Sequence, residues 1–178
     1  MKYTIKKGHH YARPMFTKPI SLKNNVMMFQ VKFSKECFDT EINEIGAVNK
    51  LFGWTQGLTS GVHVNSFRLG WALEDSHTIR LYSYEYKNGV LFKSKINVTI
   101  NNYEGESYFI FIEIHESDGS PEFDEVHISC AGHSTYMQED EFYIKKHKVK
   151  YGWWLSPFFG GELPSPNKFN ITVKQIKL

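Results

Sequence analysis

The sequence predicts an all-β protein, an antiparallel β-sandwich of the jelly-roll type with about eight to ten strands and one short helical segment. Three observations predict it. Apolar and polar residues alternate with a period of two along most of the chain, which is the strand period. The alternating runs are short and bounded by Asn, Asp, Gly and Pro, with no internal repeat and no linker. Phe, Tyr and Trp make up 16% of the residues, which suits a protein whose core and binding surfaces both use rings. A closed barrel fits the same pattern; the sandwich is the preferred reading.

The 178 residues are expected to form a single jelly-roll domain, 1–178. Tyr3 to Lys7 reads as a first strand, followed by a loop carrying Pro14 and Pro19. In Val26 to Phe33, residues Met27, Phe29, Val31 and Phe33 fall on one face, a half-buried strand. Ile42, Ile45, Val48 and Leu51 suggest one or two helical turns. The stretch from Phe52 to Gly57, with Trp54 inside it, reads as a loop rich in glycine and rings.

Val62 to Gly89 is the most informative stretch. It reads as a long hairpin, with a turn at Glu74 to His77 and a second at Lys87, Asn88 and Gly89. Arg80, Tyr82, Tyr84 and Tyr86 share one face of its second strand. Opposite them stand Ser66, Arg68 and Gly70. A cross-strand ladder of tyrosines stabilises a sheet without any ligand. The arginine on the same sheet favours binding, because a buried guanidinium must pair or meet an anion. The candidate ligand-binding residues are therefore Trp54, His63, Asn65, Arg68, Arg80, Tyr82, Tyr84 and Tyr86. Whether the tyrosine row faces a ligand or the core depends on register, since a slip of one residue reverses it.

Further along, Leu91 to Ile100 reads as a strand with Ile96, Val98 and Ile100 inward, and Tyr108 to His115 as a central strand. Val126, Ile128 and Cys130 form another alternating run, and Phe142 to Val149 an edge strand guarded by lysines. The aromatic stretch from Tyr151 to Asn167 has no regular period and reads as an ordered loop across one end of the sandwich, its Trp153, Trp154, Phe158 and Phe159 serving more as core and end cap than as a sugar platform. Phe169, Ile171 and Val173 give the closing strand.

The runs NKLFGWTQG, NSFRLGWA, LYSYEYKNG and GWWLSPFFGG, with FNITV near the end, resemble small uncharacterised jelly-roll proteins of bacteria and their phages. The resemblance covers the chain from about Asn49 onwards. It implies the sandwich fold, similar to carbohydrate-binding modules, and carries no catalytic residue.

Function classes narrow by what is missing. A formal net charge of +2 is too small to argue for nucleic acid, and Lys145, Lys146, Lys148 and Lys150 on a strand alternate between faces. No window has the apolar length of a membrane span. The start lacks the apolar run of a signal peptide, so a cytoplasmic protein is expected, although a trimmed leader would leave the same sequence. Cys37 and Cys130 are expected as reduced, buried thiols. The eight histidines show no zinc spacing; His127 and His133 could meet in space, but no metal site and no cofactor is expected beyond a structural calcium at Asp118, Glu122 and Asp124. No nucleophile elbow or catalytic cysteine signature occurs. Glu74, Glu85, Glu104 and Glu113 supply acids for glycoside hydrolysis only in the sense that most surfaces do, and a His or Tyr base on the sheet would serve a lyase or isomerase.

The expected function is accordingly a non-catalytic protein binding a small ring-containing ligand, carbohydrate or nucleotide, on the tyrosine and arginine face. The alternatives are a structural or assembly subunit that forms homo-oligomers, and a phage-encoded sponge sequestering a nucleotide signal.

Overall fold

The computed structural model describes residues 1–14, 18–22, 26–41, 43, 46–58, 61–101, 106–116, 123–132, 137–145, 150–160 and 164–177. They form two antiparallel sheets packed face to face, as the sequence predicts. One is seven-stranded and the other six-stranded.

The strands are β1 (Lys2–Ile5), β2 (Ala12–Arg13), β3 (Pro19–Ser21), β4 (Val26–Phe33), β5 (Asn49–Thr55), β6 (Asn65–Leu73), β7 (Thr78–Lys87), β8 (Val90–Asn101), β9 (Tyr108–Glu116), β10 (Phe123–Gly132), β11 (Gln138–Lys145), β12 (Tyr151–Leu155) and β13 (Phe169–Ile176). The larger sheet runs β11-β10-β9-β4-β13-β1-β2, and the smaller β3-β12-β5-β6-β7-β8. Non-sequential neighbours such as β4 and β13 tie the two ends of the chain together.

The alternation of the sequence decides which side of each strand is buried. Phe67, Leu69, Trp71 and Leu73 of β6 face inward with Ile79 and Leu81 of β7 and Ile96, Val98 and Ile100 of β8. From the other sheet come Phe29 and Val31 of β4, Ile110 and Ile112 of β9, Val126 and Ile128 of β10, and Phe169 and Ile171 of β13. Each such side chain contributes roughly 1.5–3 kcal/mol. Rings link the layers: Phe29 lies 4.2 Å from Phe52 and 5.8 Å from Trp154, centroid to centroid. Both cysteines are free and buried.

The one short helical segment is the 3-10 turn Lys35–Phe38, upstream of the residues that suggested it: Leu51 lies inside β5, and Ile42 and Ile45 lie outside the described residues. Two readings of the sequence are corrected. The stretch from Phe52 to Thr55 is not a loop but part of β5, an interior strand of the smaller sheet. The aperiodic C-terminal stretch contains β12, which bridges β3 and β5. No helix among the described residues is long and apolar enough to cross a membrane.

Candidate functional site

The register of β6 against β7 decides the position of the tyrosine row. Phe67, Leu69 and Trp71 point into the core, so Ser66, Arg68 and Gly70 point out, opposite Tyr86, Tyr84 and Tyr82 respectively. At the other end of β7, Asn88 (φ 50°) and Gly89 (φ 81°) supply the left-handed pair of the two-residue turn into β8 and set the register of β7 against β8. The outer face of the smaller sheet therefore carries Arg68 and the tyrosines. Lys93 and Lys95 on β8 stand opposite Tyr84 and Tyr82.

Lys50 joins them through an irregularity in β5. By strict alternation it would share the inward face of Phe52 and Trp54. The register slips between Lys50 and Phe52, where Leu51 is the extra buried residue, and such a bulge re-aims the side chain next to it. The Lys50 ammonium consequently sits 4.3 Å from the centre of the Tyr84 ring and 5.8 Å from Phe158, and donates to Val48 O at 3.1 Å. Sequence reasoning missed this residue. Its signal was a lysine directly before the apolar run from Leu51 to Trp54.

Arg68 lies over Gly53, its cross-strand partner on β5. A Cβ at Gly53 would come within 2.8 Å of Arg68 Cγ and 2.1 Å of Phe67 O, so only glycine lets the arginine stem lie this low. Among the described residues Arg68 Nε is buried without a hydrogen-bond partner.

Burial and crowding shift these groups in opposite directions. Burial, then Arg68 and Lys93, lowers the Lys50 ammonium to about 8. Burial lowers Arg68 to about 10 against the opposing pull of Tyr84 and Tyr86, and it remains a cation in the neutral range. Tyr84 is pushed up to about 12, first by burial and then by a hydrogen bond with Tyr86. At mildly alkaline pH the face thus presents a neutral amine, a protonated phenol and a guanidinium with an unfilled donor, in contact with one another. This combination can bind an anion and exchange protons.

The other expected site residues divide. Tyr86 is half-buried, its ring 5.8 Å from Tyr84 and 5.0 Å from exposed His63. Tyr82 belongs to this face but is only 6% exposed, packed with Val48 and Ala72. Asn65 Oδ1 accepts from the Asn88 backbone at 2.9 Å and braces the turn. Arg80 is bound to Glu74 through Nε at 2.6 Å and a second nitrogen at 2.8 Å. Trp54 is corrected: it is buried in the core, 4.9 Å from Phe67, and faces away from the site. A Lys18 ammonium and the Tyr3 hydroxyl attend Trp154, while Phe158 stacks on His10 at 5.4 Å and borders the Lys50 end of the face.

The acids considered for hydrolysis do not gather here. Glu85 points inward and accepts from Gln56 Nε2 at 3.3 Å, Glu74 is held by Arg80, and Glu113 is on the other sheet. Glu104 lies outside the described residues, as do Asp118 and Glu122 of the expected calcium turn, His133, and Lys146 and Lys148. Asp124 is buried within β10.

No family model matches the chain, and no curated protein sequence does. Solved structures do match its fold. The chain is similar to the marine PL-14 alginate lyase from Aplysia kurodai, with a TM-score of 0.55 at 18% identity over 98% of this chain and 80% of that one. It is also similar to alginate lyase vAL-1 from Chlorella virus, with a TM-score of 0.50 at 15% identity over 99% of this chain and 84% of that one. Both are named as lyases, which corrects the expectation of a non-catalytic binding protein; neither lends support to the assembly-subunit or nucleotide-sponge alternatives. At these identities the likeness shows the fold alone.

Proposed function

We propose that the protein is a polysaccharide lyase that cleaves a uronate-containing polysaccharide by β-elimination on the outer face of the smaller sheet. The observation that carries this reading is Lys50, lowered to about 8, in contact with Tyr84, which is raised to about 12, beside the unfilled donor of Arg68. Alginate, the polymer named for the similar structures, is built of uronic acids, and a uronate presents the anion such a site takes.

The steps follow from the chemistry of the three groups. Arg68 pairs with the sugar carboxylate and spreads its charge, which acidifies the adjacent C5 proton. Neutral Lys50 takes that proton. The released electron pair forms a C4=C5 double bond, the bond from C4 to the glycosidic oxygen breaks, and the Tyr84 hydroxyl protonates the departing oxygen. The Lys50 ammonium then returns its proton to the Tyr84 phenolate, restoring both groups. Tyr86 and His63 flank the row and offer ring faces to neighbouring sugars. Hydrolysis is disfavoured because no pair of carboxylates stands at this face among the described residues.

Mass spectrometry of products from a panel of polyuronates tests the reading. Elimination yields oligosaccharides whose new non-reducing end is unsaturated, one water lighter than the hydrolysis product. Products carrying the added water, or intact polymer throughout the panel, would overturn it.

A further inference from the structure

The outer face of the larger sheet carries a second constellation, unrelated to the first. Three adjacent strands bring it together. On β10, Glu125 and His127 point outward; β9 places His115 opposite Glu125 and Glu113 opposite His127; β11 places Glu141 opposite His127 on the other side. His127 Nε2 is 3.5 Å from Glu125 Oε1, and its Nδ1 is 3.5 Å from Glu141 Oε1. The His115 and His127 rings lie 4.7 Å apart, and His115 Nε2 is 3.6 Å from Glu113 Oε2. A cavity of about 300 Å³ opens over this group, with Glu113, His127 and Glu141 in its wall.

From this arrangement we propose a binding site for a divalent transition-metal ion of the zinc kind, centred on His127 with Glu125 and Glu141. One ligand atom from each of these three residues falls within 4.8 Å of the others, and ligands about 2.1 Å from a tetrahedral ion stand roughly 3.4 Å apart. The two carboxylates lie against different nitrogens of the His127 ring, so an ion held on one nitrogen takes that nitrogen's carboxylate first and draws the other round to it. Ring-to-carboxylate distances of 3.5 Å are long for hydrogen bonds, so the present contacts do not use the full capacity of the groups.

Charge points the same way. Glu113, Glu125 and Glu141 occupy three neighbouring strands, and their cross-strand neighbours include Val26 and Tyr143 rather than lysine or arginine. Like charges clustered on a sheet destabilise it, and a bound cation reverses the sign of that contribution. Two imidazoles among carboxylates select zinc, cobalt or nickel over magnesium and calcium. Glu113 and His115 are placed to fill remaining positions or to orient the first ligands. The sequence shows half of this site, since Glu113 with His115 and Glu125 with His127 are each spaced to share one face of a strand; that the two pairs meet, with Glu141 beside them, is set by topology.

Calorimetric titration of the chelator-treated full chain with zinc chloride tests the assignment, with magnesium and calcium chloride as comparisons. The expected result is one equivalent of zinc, no comparable binding of magnesium or calcium, and affinity at least tenfold weaker in His127→Ala and in Glu141→Gln. NMR of the unmutated protein supplies a readout independent of variant folding: zinc should shift the ring resonances of His127 and His115 and leave those of His9 and His10 in place. Absence of zinc binding, binding unaltered in His127→Ala, or ring shifts confined to His9 and His10 would each overturn the site.

Discussion

The two outer faces of this sandwich are built on the same strand geometry and hold opposite chemistries. One gathers Lys50, Arg68 and Lys93 around a tyrosine row; the other gathers Glu113, Glu125 and Glu141 around two imidazoles. Between them lies a core with the period-two pattern of any sandwich. The scaffold therefore fixes where side chains stand, while the outward half of the alternation decides what the surface does. The cationic face is also the more buried. Its lysine, arginine and tyrosine are shifted by that burial, whereas His115 and Glu141 on the acidic face are exposed.

The largest expected effect breaks the cationic face. Lys50→Met and Tyr84→Phe should each lower kcat for elimination by about 10²–10⁴-fold, the usual span for a lost proton-transfer group, measured as appearance of the conjugated double bond. Arg68→Lys should fall with them, since an ammonium on a different stem does not reproduce the guanidinium fork.

Next comes the cost of the same groups to the fold. Charges held in a half-buried site with few partners oppose folding, so Lys50→Met and Arg68→Met should raise stability by about 1 kcal/mol, or roughly 2–4 °C in Tm. Calorimetric melting of the inactive variants checks this. Lower Tm values in both would show that the cations support the sheet instead.

The sign of the pH dependence follows from Lys50. Its native value of about 8 lies below its ordinary 10.5. Between these values the unfolded chain binds a proton that the native chain does not, so this group's contribution to stability rises with pH across that window. Below about 8 both states are protonated and the penalty is fully present. Urea unfolding of the wild type should show this rise, and Lys50→Met should lack it.

The smallest expected effect sharpens the contrast. Neutralising the acidic face with Glu113→Gln and Glu141→Gln should leave kcat/KM for elimination unchanged within about twofold, because a face on the opposite side of the core neither binds nor reaches the sugar. A large loss would mean that the two faces are coupled.

The fold was legible where alternation is uninterrupted. From Phe67 to Leu73 every second residue is apolar, which fixes the register of the hairpin and turns Arg68 and Tyr84 outward. Legibility failed at β5. There the bulge at Leu51 reverses the parity of Lys50 relative to Phe52 and Trp54, so the lysine went unread, and Trp54 was assigned to the site because the glycine- and ring-rich stretch from Phe52 to Gly57 reads as a loop rather than a strand. The same physical limit hid β12, in which Trp153, Trp154 and Leu155 follow one another without alternation, and the acidic face, whose members meet only once β9, β10 and β11 are side by side.

The central claim is that Lys50 serves as the base of an elimination on this face. The direct test is the pH dependence of kcat/KM for a polyuronate, followed by ultraviolet absorbance in the wild type and in Lys50→Arg. A rising limb with an apparent pKa near 8 that vanishes with the activity in Lys50→Arg is predicted. A rising limb that persists unchanged in Lys50→Arg, or no unsaturated product from any polyuronate, would contradict it.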